Sequence, residues 1–187
     1  VNILLGVTGS ISAYKACDIV SGLVATGHEV QVVMTDDAKK FIPEMPLAIL
    51  SKREVLSSFD DEAKGEVMHI TKAHWADIFL IAPATANTIA KVHHGIADNV
   101  LTAMALAFRG IKIIAPAMNT NMLESNPMQR SLKKLPEDGW DILETQCGIL
   151  ACGDSGLGKL AKPRHIVAYV NLRIDEINKA EILAIVK

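Results

Sequence analysis

Cysteine is scarce in this chain: Cys17, Cys147 and Cys152 are the only three, an odd number with no repeating spacing. A disulfide scaffold is therefore excluded, and a reducing cytoplasm is the simplest expectation. Long apolar runs are missing too. None approaches the roughly 18 residues that a membrane span needs, and the apolar opening, residues 1–7, lacks the basic flank and small-residue cleavage site of a secretory signal. Positive charge is not in excess. Nineteen Lys and Arg stand against 21 Asp and Glu, net charge −2, and no basic run marks a nucleic-acid footprint. Internal repeats and low-complexity linkers are absent. The six histidines join no cysteine or carboxylate at metal-ligand spacing, and the adjacent His93 and His94 are expected to point different ways on a helix. What is present is a 187-residue chain, 50% hydrophobic and 21% charged, the profile of one soluble globular domain over residues 1–187.

Residues 2–7 form a short run rich in branched side chains, the pattern of a strand covered on both faces. After Thr8-Gly9-Ser10 the period changes. Ala16, Ile19, Val20, Leu23 and Val24 share one helical face, and Gly27 supplies the stop. Further strands are expected over 30–34, over 78–82 with an end at Pro83, over 111–115 and over 140–143. Helices are expected over 85–94 and 99–108, parted by Gly95, and from Pro163 through Val186. Residues 144–163 are glycine-rich and aperiodic, which predicts a mobile loop, with an inert connection and a cover over a substrate as its alternatives. Strands alternating with helices imply an α/β fold, a Rossmann-like (flavodoxin-like) parallel sheet with helices on both faces, in a single domain.

Ligands in such sheets bind outside the carboxyl ends of the strands. Four unusual turns fall there: "TGS", "TDD", "APATAN" and "PAMN". The first is neither a dinucleotide fingerprint, since a third glycine is missing, nor a phosphate loop, since Lys15 stands well beyond Gly9. It is a tight turn with Ser10 at a helix N-cap. Ordinary capping explains it, and so does one phosphate held by free N–H groups and a hydroxyl. With Thr35 at the neighbouring strand end, a mononucleotide suits the turns better than a dinucleotide. "APATANT" has small side chains that let a flat ring approach the backbone, though Thr85 is equally a plain cap. "PAMNTNM" sets an amide among soft apolar side chains, as a site would that orients a polar substrate over a large flat cofactor. Cys152 beside Asp154 is either an inert loop thiol or a proton donor on a lid.

The stretches "ILLGVTGSISAYK", "HITKAHWAD", "IAPATANTIAKVHHGIADN", "APAMNTNM" and "ACGDSGLGKLA" resemble, in order and over most of residues 2–163, the homo-oligomeric flavin-containing cysteine decarboxylases. The resemblance implies FMN as cofactor. Gly9, Ser10, Ile11, Thr35 and Asp37 would hold its phosphate and ribityl chain, and Thr85, Ala86, Asn87, Thr88 and Ala117 would border the rest. It implies His69 and Cys152 as catalytic residues, with Asn119, Met122, Ala151, Gly153 and Asp154 against the substrate. The implied reaction takes phosphopantothenoylcysteine to phosphopantetheine in coenzyme A biosynthesis. The substrate thiol is oxidised to a thioaldehyde, CO2 leaves as the enethiol forms, and the electrons then return with a proton. No metal is implied. Alternatives are decarboxylation of a peptide's C-terminal cysteine and a non-catalytic flavin-binding regulator. Family habit implies a trimer or a dodecamer. The chain's stop at Lys187 implies that the ligase of this pathway is a separate polypeptide. Leu123 departs from the pattern, where an aromatic is usual.

Overall fold

Side chains along each central strand point alternately to two apolar layers, and this sorting holds the fold together. The computed structural model describes residues 1–59 and 67–185. Strands β1 (Asn2–Val7), β2 (Glu29–Met34), β3 (Ile78–Ala84), β4 (Ile111–Pro116) and β5 (Trp140–Ile142) are all parallel, in the order β2-β1-β3-β4-β5. That is the flavodoxin-like order, with its topological switch between β1 and β3.

The helices are α1 (Ala16–Ala25), α2 (Asp36–Lys39), α3 (Glu44–Ser51), α4 (Met68–Trp75), α5 (Ala86–His94), α6 (Val100–Ala107), α7 (Thr120–Glu124), α8 (Asn126–Lys134) and α9 (Pro163–Ile185). Ile3, Leu5 and Val7 of β1 face Ile19 and Leu23 of α1, Leu47 of α3 and Val170 of α9. Leu4, between them, turns to the other layer, with Phe79, Ile89 of α5, Leu101 and Met104 of α6, and Trp140. Each such side chain, fully buried, contributes roughly 1.5–3 kcal/mol. A one-residue slip would send every strand residue to the wrong layer, so register is strongly specified.

The expected strands and helices are present with small shifts at their ends. The helical pattern from Ile11 begins as a 3-10 turn, Ile11–Lys15, before α1. Pro83 does not end β3. Proline has no N–H to give, so the pairing slips between Ile81 and Ala84, yet Ala84 resumes it against Pro116. Its carbonyl then accepts the Ala117 N–H over 2.9 Å. The expected loop over 144–163 is another correction. It contains an antiparallel hairpin of β6 (Gln146–Ile149) and β7 (Ser155–Lys159). The last helix begins at Pro163 as expected, while its expected end at Val186 lies outside the described residues.

Candidate functional site

Thr8 locks the switch point. It is fully buried; its hydroxyl donates to the Pro83 carbonyl over 2.6 Å and accepts the Thr85 N–H over 3.0 Å. The turns after β1 and β3 are thereby tied across the gap where the strand order reverses. Each neighbouring turn is closed by a local cap. Ser10 accepts from Ser12 N–H, Thr35 from Ala38 N–H, Thr85 from Thr88 N–H, and Asn119 from Asn121 N–H.

Two adjoining clefts open at this end of the sheet. The first, about 300 Å³, lies between Gly9 and Ser10 on one side, Asp37 on another and Thr85 to Thr88 on a third, with Ala117, Met118 and Met122 completing the wall. Gly9 has to be small, because a Cβ there would meet the Asp37 Cβ at 2.5 Å. The Asp37 carboxyl bonds Lys40 over 2.6 Å, and that ammonium holds its pKa below the usual carboxylate value. Asp37 therefore faces the cleft as an ionised acceptor, suited to hydroxyl groups. Ala86, Asn87 and Thr88 open α5, where N–H groups lack intrahelical partners and favour an anion. Hydroxyls, small side chains and a helix start fit the phosphate and chain of a flavin mononucleotide.

The second cleft, about 460 Å³, shares Ser10, Ala117 and Met118 with the first. Its other wall is the hairpin, which is fastened to the β4–α7 connection at two points. Met118 N–H donates to the Gly158 carbonyl over 2.9 Å, and the Thr120 hydroxyl to the Leu157 carbonyl over 2.6 Å. At the hairpin tip the Cys152 thiol donates to Asp154 Oδ2 over 3.3 Å. Asn119 Nδ2 stands 3.2 Å from the Cys152 sulfur and 3.4 Å from the same Asp154 oxygen. Capping α7 consumes Asn119 Oδ1, which turns the donating half of the amide towards the thiol. Ile11, Tyr14 and Ile149 line this cleft while remaining exposed.

Of the expected site residues, Gly9, Ser10, Asp37, Thr85, Ala86, Asn87, Thr88, Ala117 and Met122 meet around the first cleft. Ser10, Ile11, Ala117, Asn119, Ala151 and Cys152 meet around the second. Asp154 reaches it through Cys152 and Asn119, and Gly153 belongs to the same tip. Thr35 lines neither cleft and serves as the cap of α2. His69, in the first turn of α4, also lines neither; its ring meets Phe59 edge to face, centroids 5.5 Å apart. The adjacent His93 and His94 do not diverge as expected. Their rings meet edge to face at 4.6 Å, because His94 Nδ1 folds back to the Ala90 carbonyl at 2.8 Å. Among the described residues no group of three or more His, Cys, Asp or Glu is placed to hold a metal, and no helix is long and apolar enough to cross a membrane. Tyr14, Lys15 and Lys159 also line the second cleft; they lie within the stretches that carry the family resemblance but no local pattern singles them out. Lys15 sits at the wrong spacing for a phosphate loop, and Lys159 is separated from it by most of the chain.

Residues 1–175 match the Flavoprotein family, and the chain belongs to that family. It is 46% identical over 162 residues to the probable phosphopantothenoylcysteine decarboxylase of Streptococcus mutans, covering 85% of this chain and 90% of that protein. It is 42% identical over 167 residues to the coenzyme A biosynthesis bifunctional protein CoaBC of Bacillus subtilis; this covers 89% of the chain but only 41% of that longer relative. Among solved structures, a Cys-to-Ser mutant of PPC decarboxylase complexed with pantothenoylaminoethenethiol superposes with a TM-score of 0.84 at 31% identity, covering 93% of this chain and 98% of that one. The FMN-dependent cysteine decarboxylase SpaF gives 0.77 at 35% identity over 85% and 90%.

Proposed function

We propose that the chain is an FMN-dependent lyase that decarboxylates 4'-phosphopantothenoylcysteine to 4'-phosphopantetheine in coenzyme A biosynthesis. The observation that carries the reading is the Asn119–Cys152–Asp154 triangle, which opens beside a cradle of hydroxyls and small residues at the switch point. The names of the streptococcal relative and of the superposed decarboxylases support it.

In the first cleft Ser10, Thr85 and Thr88 would hold the FMN phosphate and Asp37 the ribityl hydroxyls, with Ala117 against the ring. Bound there, FMN supplies reversible two-electron oxidation of the substrate thiol. The rest is the chain's own work. Asn119 Nδ2 is a donor aimed into the second cleft, where it holds the carboxylate that will leave. Met118, which lines both clefts, gives that carboxylate an apolar neighbour, which favours loss of its charge. Cys152 delivers the proton that completes the product, and Asp154 orients the thiol by accepting its hydrogen bond.

His69 does not reach either cleft of its own chain. Its proposed catalytic part requires a second copy to present the imidazole at the cleft mouth, in keeping with a homo-oligomer, trimer or dodecamer. The exposed Ile11, Tyr14 and Ile149 around that mouth give such a copy an apolar surface to cover. The test is direct. Purified protein is expected to be yellow, to release FMN, and to form CO2 from phosphopantothenoylcysteine. Colourless protein that cannot be reconstituted with FMN would overturn the reading. Turnover of a peptide with a C-terminal cysteine, in place of phosphopantothenoylcysteine, would replace it with the peptide activity.

A further inference from the structure

Backbone pairing between β1 and β3 runs from Ile3–Ile78 to Gly6–Ile81 and stops there. Two residues farther along, the Thr8 side chain takes over the junction. Its hydroxyl donates to the Pro83 carbonyl over 2.6 Å and accepts the Thr85 N–H over 3.0 Å, and the residue has no exposed surface. A valine would fill the same space but could neither donate nor accept, so the hydroxyl serves the two bonds rather than the packing. The Thr8 carbonyl meanwhile accepts the Ser10 N–H over 2.8 Å. One buried residue is therefore joined to both turns that carry hydroxyls into the first cleft, at Ser10 and at Thr85. Those hydroxyls are held in turn, Ser10 Oγ against Ser12 Oγ at 2.9 Å and Thr85 Oγ1 against Thr88 Oγ1 at 3.2 Å. Thr8 itself lines neither cleft.

We propose that Thr8 is a positioning residue for the phosphate of FMN: it acts through Ser10 and Thr85, setting the spacing of the two turns before the cofactor arrives. The assignment rests on the reading of the first cleft as the FMN site. A phosphate is small and rigid, so groups on separate turns serve it together only if their separation is fixed beforehand. Without the hydroxyl, the Thr85 N–H and the Pro83 carbonyl lose their partner in the interior, and the start of α5 has to shift to find others. The flavin ring is placed against Ala117, which Thr8 does not hold. The hydroxyl thus matters more for FMN than for riboflavin, which has the same ring and ribityl chain but no phosphate.

The experiment measures dissociation constants of FMN and riboflavin, by flavin fluorescence, on flavin-stripped wild type, Thr8→Val and Thr8→Ser. Valine keeps the volume and drops both bonds, whereas serine keeps both bonds and drops one methyl group. The wild type is expected to prefer FMN by roughly a hundredfold, the scale of several hydrogen bonds to a charged group. Thr8→Val is expected to lower that preference about tenfold, mainly by weakening FMN. Thr8→Ser is expected to unfold at a lower temperature, because of the small cavity, yet to keep the preference. A purely structural Thr8 would give another pattern: both flavins weakened alike in Thr8→Val, or Thr8→Ser the worse binder of the two. Either pattern, or wild-type FMN affinity in Thr8→Val, would overturn the proposal. Should Thr8→Val not fold, Thr8→Cys replaces it. Its thiol is a weaker donor and acceptor, so about a threefold loss of preference is expected, and no loss would overturn the proposal. A wild type that binds neither flavin would overturn the cofactor reading and this assignment together, whereas one that binds both equally would leave the flavin and remove the phosphate role of the two turns and of Thr8.

Discussion

Met118 and Gly158 are joined backbone to backbone: the Met118 N–H donates to the Gly158 carbonyl, and a Cβ on Gly158 would collide with the Met118 carbonyl oxygen. This contact explains why a buried strand runs out into two methionines and an asparagine. The β4–α7 connection is the dock for the hairpin, and Asn119, the one residue between its two fastening points, Met118 and Thr120, meets the Cys152 tip.

Gly158→Ala is expected to prise the hairpin from that dock. Gly158 sits at φ +122, a conformation nearly confined to glycine, and the new Cβ has only backbone to meet. Strain of this kind costs about 1–3 kcal/mol. Decarboxylation is expected to fall at least tenfold, while FMN affinity in a fluorescence titration falls less, because Gly9, Asp37 and Thr85 to Thr88 of the first cleft stand away from the hairpin and only its Met118 wall is disturbed. An unchanged rate would show that the hairpin position does not matter.

Asn119→Asp separates folding from chemistry. Aspartate caps a helix as well as asparagine does, so thermal unfolding is expected to move little. The new carboxylate, however, stands beside Asp154 and faces the substrate's own carboxylate, replacing a donor with repulsion. Steady-state decarboxylation is expected to drop at least a hundredfold, with FMN retained. Near-normal turnover would remove Asn119 from substrate binding.

Cys152→Ser is expected to stop the reaction half-way. A serine hydroxyl keeps the shape but is far less acidic than a thiol of pKa ~8.5, so it is a poor proton donor for the last step. Mixed anaerobically with substrate, the variant is expected to release about one CO2 per site and then stall with an enethiol product two hydrogens short of phosphopantetheine, which mass spectrometry would detect. Cys147→Ser alters an exposed thiol outside both clefts and is expected to turn over normally. A stall in Cys147→Ser instead would reverse the assignment.

Gly9→Ala addresses the cofactor. Its Cβ would push on Asp37, moving the start of α2 and narrowing the first cleft. Far-UV circular dichroism is expected to be unchanged, and the FMN dissociation constant to rise at least tenfold by equilibrium dialysis. Wild-type affinity would mean that FMN does not use this turn.

Local signals made much of this protein legible. Strands buried on both faces and helices with one apolar stripe admit few packings, so alternation of the two already specified a parallel sheet with helices on either side. Ser10, Thr35, Thr85 and Asn119 cap helices through partners two or three residues away, which is why the four turns could be read one by one.

Order that depends on distant partners could not be read that way. The hairpin has no apolar period, and its glycines look like flexibility until Met118 and Thr120 supply the bonds that hold it. Pro83 looked like a stop because the pairing of Ala84 with Pro116 is long-range. Lys15 and Lys159 are ordinary surface residues until folding sets them on one cleft, and His69 lies in a site-like motif that folding keeps away from both clefts of its own chain. Sequence determined the sheet, the turns and the residue types available for chemistry, because those follow from period and near-neighbour hydrogen bonds. Which of those residues share a cleft was decided only by the tertiary structure, since that depends on backbone contacts between segments far apart in the chain.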